Sequence, residues 1–144
     1  MKRLTQCIIA MLLVGCILIM PVYAAENQVD RSSEFFIKDS AYLSKVSSTE
    51  FNVWFSVTAV KGMDELGVSA IYVDESPDGS DWTELETYTN SDYPELLDYE
   101  TGYHGGHVSC SGRKGYYYRA LVVFYAKDGR NIGEMPIYTY SIQL

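Results

Sequence analysis

His104-Gly105-Gly106-His107 holds the only two histidines of the chain, with Cys110 three residues further on and Asp98 and Glu100 just upstream. Imidazole, thiol and carboxylate groups so close together could hold a metal ion or run nucleophilic chemistry. Their spacing argues against both. Zinc needs three or four ligands converging in space, and two residues three apart on a strand point to opposite faces. A cysteine and a histidine within one segment seldom face each other, because nucleophile and base are usually supplied by separate elements. The chain has no Gly-x-Ser-x-Gly elbow. No metal or other cofactor and no catalytic residue is expected, and the protein is read as a non-enzyme.

Asp74, Glu75, Asp78 and Asp81 crowd around Gly79, and carboxylates gathered in a loop are how calcium is often held. Counted from Asp74, Gly79 falls where an EF-hand loop needs its glycine, but Leu85 stands where the bidentate glutamate belongs. Pro77-Asp78-Gly79 is turn chemistry, and the acids read as a solvated hairpin. Paired carboxylates for glycoside cleavage would need a deep cleft, which a domain of this size seldom encloses.

Aromatic side chains are the stronger signal. Thirteen tyrosines, two tryptophans and five phenylalanines exceed what one small core requires, so some rings must reach the surface. Tyrosine offers a stiff contact area with a polar tip, which suits carbohydrate faces and protein interfaces. Tyr93, Tyr99 and Tyr103, with Tyr117 and Tyr125 on one strand face, are the candidate binding residues for a protein or carbohydrate partner. The competing reading is that cross-strand tyrosine pairs only stabilise the sheet.

Lys2 and Arg3 precede an apolar run from Cys7 to Met20, followed by Val22-Tyr23-Ala24. A basic start, an apolar stretch shorter than the ~20 residues of a membrane span and small residues at −3 and −1 predict a signal peptide over 1–24. Leu13-Val14-Gly15-Cys16 offers the alternative of a lipoprotein anchored at the envelope through Cys16, with no dedicated ligand site. An uncleaved anchor is a third possibility. Loss of residues 1–24 removes two bases and no acid, taking the formal charge from −8 to −10. Such a field repels phosphate backbones and anionic lipid, so neither nucleic acid nor a membrane surface is expected as a direct partner. Cys110 would be the one cysteine left, expected to be buried as a small apolar residue or else to form an intermolecular bond.

The elements that must position these groups read as strands. Phe51, Val53, Phe55, Val57 and Ala59 alternate with Asn52, Trp54, Ser56, Thr58 and Val60, the period of a strand with one buried face. Val68–Val73 and Trp82–Tyr88 flank the Pro77-Asp78-Gly79 turn as a hairpin, and Tyr116–Ala126 is the strongest strand. Residues 89–115 read as a long, loose connection with one short strand over 104–110, and 136–144 as a closing strand. Helical periodicity is absent. The expectation is an all-β chain, with a flexible lead-in over 25–40 and a single antiparallel β-sandwich of about seven strands over 41–144, a small barrel being the alternative.

Gly115-Tyr116-Tyr117-Tyr118-Arg119-Ala120 resembles the start of the sixth strand in fibronectin type III and immunoglobulin-like domains. Ser76-Pro77-Asp78-Gly79-Ser80-Asp81-Trp82 is similar to a hairpin of bacterial members. The resemblance implies that Tyr116 or Tyr118 bonds back to the backbone across a corner, and that Trp54 is a core tryptophan. The leader plus one such domain is also similar to small secreted proteins of clostridia-type Gram-positive bacteria that have no assigned activity.

Overall fold

The computed structural model describes residues 32–144. The leader, both cleavage alternatives and residues 25–31 lie outside them. After one helical turn, α1 (Ser32–Phe35), the strands are β1 (Phe36–Lys45), β2 (Glu50–Ser76), β3 (Thr83–Thr89), β4 (Leu97–Ser111), β5 (Tyr117–Asp128), β6 (Asn131–Tyr138) and β7 (Ile142–Gln143), with a 3-10 turn at Pro94–Leu96. All pairings are antiparallel within one seven-stranded sheet that curls into a half-barrel.

β2 organises the sheet. Its first half lies between β1 and the second half of β4, and its second half lies between β5 and β3. The apolar and polar alternation predicted for residues 51–60 is present, but the strand does not stop there. It bends instead, at two irregularities: residues 59–62 stand against Gly102 alone, and Ser69 is bulged out between the Val68–Phe124 and Ala70–Val123 pairs. Each extra residue reverses which parity faces inward. The buried set keeps one parity through Phe51, Val53, Phe55, Val57, Ala59 and Met63, changes to Leu66 and Val68 just past Met63, and changes back to Ile71 and Val73 past Ser69. One continuous strand thereby lines both walls of the core.

At the bend the backbone leaves no room for a side chain. A Cβ on Gly67, whose φ is +154°, would lie 2.1 Å from the carbonyl oxygen of Leu96. The walls meet where Phe51 of β2 packs on Tyr118 of β5. Tyr118 is fully buried and its hydroxyl accepts a 2.6 Å hydrogen bond from the Arg113 N–H. That is the backward bond implied for this position. Gly112 fits beneath it, since a Cβ there would sit 2.7 Å from the Tyr118 ring.

Three expectations are corrected. Residues 36–40 are not lead-in but the start of β1, because Phe35 and Phe36 are buried and Lys38 to Ser40 pair with Ser56 to Thr58. Trp54 is not a core residue, since Phe51, Val53 and Phe55 occupy the inner face and turn it outward. The strand expected over 104–110 is present but begins earlier, so much of the connection read as loose is β4, held against β2 from Leu97 to Ser111.

Candidate functional site

The outer face of β1, the first half of β2 and the second half of β4 forms a field of matched rows. Tyr42, Trp54 and His107 stand directly opposite one another on the three strands. Tyr42 lies nearly parallel to Trp54, with ring centroids 6.4 Å apart and planes at 10°, and His107 packs on the other side of Trp54 at 4.4 Å. Ser40, Ser56 and Gly105 make the row on one side, and Ser44, Asn52 and Ser109 the row on the other. Beyond Gly105, Lys38, Thr58 and Tyr103 complete the field. Tyr103 is 60% exposed, and its hydroxyl lies over Gly105, where a Cβ would be only 2.9 Å away. No carboxylate stands in these four rows, although the chain carries a formal charge of −8.

The other tyrosines singled out from sequence do not join this field. Tyr99 is exposed near the bend, opposite Glu65. Tyr117 and Tyr125 lie on β5 in the other wall, opposite Ser76 and Gly67. Tyr117 lies against Gly79 of the hairpin loop. Tyr125 is half-buried, and burial followed by the charge of Glu65 raises its pKa. Tyr93 packs on Tyr88 with centroids 5.1 Å apart. Only Tyr103 of the five belongs to the aromatic field. Tyr42 and Trp54 stand in the field although composition does not single them out, and the sequence carries one signal for them: Trp54 falls in the polar phase of the alternation, among Asn52, Ser56 and Thr58, where an indole is out of place.

His104 and His107 point to opposite faces. The His104 ring packs on Phe55, with Nε2 3.0 Å from the Glu95 carbonyl oxygen and Nδ1 3.9 Å from Asp98. Among the described residues no cluster of three or more metal-binding side chains occurs. Cys110 is buried beside Tyr88, whose hydroxyl bonds Glu86 at 2.6 Å and lies 3.5 Å from the sulfur. Burial, partly offset by the Tyr88 contact, pushes the Cys110 thiol up to about 11. It also raises the Tyr88 phenol, and both stay protonated at neutral pH. A protonated, enclosed thiol is a poor nucleophile.

Two carboxylates of the acidic hairpin, Asp78 and Asp74, are engaged within the protein. Asp78 Oδ1 accepts bonds from the Asp81 and Ser80 N–H groups and from the Ser76 hydroxyl, which lower its pKa in that order. Asp74 holds Arg119 at 2.9 Å, and the guanidinium lies over Trp82 and Tyr138. These carboxylates are spent on the protein itself. No protein-family model matches the chain, and no curated protein matches it.

Proposed function

We propose that the protein is a secreted, non-enzymatic binding module that takes a neutral carbohydrate on the outer face of β1, β2 and β4. The observation that carries this reading is the Tyr42–Trp54–His107 row, a strip of rings in register across three strands. The C–H face of a pyranose is apolar and flat, and stacks on such rings, while its hydroxyls need short donors and acceptors around them. Ser40, Ser44, Asn52, Ser56 and Ser109 supply those groups at strand spacing, about 4.8 Å between neighbours. An aromatic body with polar flanks is the chemistry that binding sites combine. The four rows hold no carboxylate and a single charge, Lys38 at their edge, which favours a neutral ligand over a cationic one. The same reading takes the fold as a fibronectin type III or immunoglobulin-like sandwich open at one seam, a kinship supported by the Tyr118 corner.

Affinity electrophoresis through gels containing soluble neutral polysaccharides tests the proposal. Retardation by at least one glucan, mannan or xylan, abolished in Trp54→Ala, is the expected result. Unchanged mobility in every gel contradicts it and leaves a protein surface as the ligand, whereas retention that survives Trp54→Ala contradicts the assignment to this face.

A further inference from the structure

The second half of β4 is a free strand edge of an unusual kind. From Tyr103 to Ser111 it pairs with β2 on one side, and no described strand pairs with it on the other. Two bonds fix which of its backbone groups turn outward. Gly112 N–H donates to Thr49 O, and the Tyr88 hydroxyl reaches across to Ser109 O. Bonded and non-bonded pairs alternate along an antiparallel ladder. The groups of Gly105, His107, Ser109 and Ser111 therefore face away from β2.

Open edges are normally blunted by charge or proline. β3 carries Glu84 and Glu86, β6 carries Glu134 and Pro136, and β1 carries Lys38, Asp39 and Lys45. Residues 103–111 carry no proline, no lysine and no acid. Beside this edge runs an open groove of about 390 Å³, lined by His107, Val108, Ser109 and Ser111 on the β4 side and by Glu86, Tyr88, Tyr93 and Glu95 opposite. Its volume is within the range of ligand sites, about 300–1,000 Å³.

We infer that this edge takes an extended, basic segment of another polypeptide as an added strand. The backbone of the segment pairs with the outward groups of Gly105 and His107 and with the Ser109 and Ser111 N–H groups. Its alternate side chains meet the Glu86 and Glu95 carboxylates across the groove. Main-chain bonds give strand addition its affinity and the facing side chains give its selectivity. A second copy of this chain fits less well, because it would bring another Glu86 and Glu95 to the same seam.

The probe is a short, soluble peptide of alternating lysine and valine, titrated by fluorescence anisotropy and by amide chemical shifts. Its glutamate–valine twin and a twin methylated on alternate backbone nitrogens serve as controls. Expected are saturable binding of the lysine peptide alone, amide shifts concentrated over 105–111, and at least a tenfold loss in the Glu86→Gln, Glu95→Gln double variant. Equal binding of the methylated twin would reduce the effect to charge adhesion and overturn the inference. Amide shifts lying elsewhere, or a doubling of the particle mass without peptide, would overturn it too. The methylated control needs no protein variant, so a folding defect in the double variant leaves the test intact.

Discussion

Phe51 and Tyr118 lie with ring centroids 4.7 Å apart and planes tilted by 35°, although one belongs to the first half of β2 and the other to β5. β2 pairs with β5 only from Glu65 onward, so this contact is made across the core and not along the ladder. It is the point where the curled sheet closes on itself. Both rings are fully buried. Phe51→Ala should therefore cost about 3–5 kcal/mol. Tyr118→Phe keeps the ring and loses only the bond from Arg113, for about 1 kcal/mol. Urea unfolding of the two variants measures both, and equal losses would mean that the hydroxyl, and not the ring packing, holds the corner.

Gly67 and Gly62 test the bend. A Cβ at Gly67 would strike the Leu96 carbonyl, a backbone atom that cannot swing aside, whereas one at Gly62 meets nothing within 4 Å. Gly67→Ala should lose about 3 kcal/mol or more and Gly62→Ala should stay within about 0.5 kcal/mol of the parent. Thermal melts of the pair read the difference directly.

Alkaline pH should weaken the fold in a defined window. The Cys110 thiol is raised from an ordinary 9.0 to about 11 in the folded chain, with burial as the leading cause. Between those values the unfolded chain releases a proton that the native chain keeps, so stability falls as pH rises. It is fully present below about pH 9, and the contribution lost by pH 11 is on the order of 2 kcal/mol. Denaturant midpoints from pH 7 to 11 should slope downward above pH 9, and less steeply in Cys110→Ala. Tyr88, raised in the same direction by burial, adds to the slope that remains.

The same enclosure predicts silence towards thiol reagents. In native protein at pH 8, labelling of Cys110 should be limited by opening of the structure and become prompt only in denaturant. Prompt labelling of the folded protein would contradict the burial of the sulfur.

Much of the fold was legible in the sequence because strand alternation is a local signal. Phe51 to Ala59, Thr83 to Tyr88 and Tyr117 to Ala126 are strands where the period of two places them. What local pattern does not carry is the bend. The residues bulged at 59–62 and at Ser69 break the period without a Pro or Asp-Gly turn, so one long strand reads as two. The short strand expected over 104–110 is the end of β4, whose first half was hidden because Asp98, Tyr99 and Glu100 are all exposed and leave no alternating apolar phase. For the candidate face, Tyr103 was found by composition alone. Tyr42 and Trp54 were not, because their value lies in register with His107, a relation set by strands far apart in sequence.

Trp54 stands at the centre of the proposed ligand platform on the outer face. Titration of soluble neutral polysaccharides against the Trp82→Phe variant, which leaves Trp54 as the one indole, is the most direct measurement. A saturable change in Trp54 fluorescence with one of them, lost when Tyr42 is also replaced by alanine, is the expected result. No change with any polysaccharide, or a change that persists without Tyr42, would contradict it.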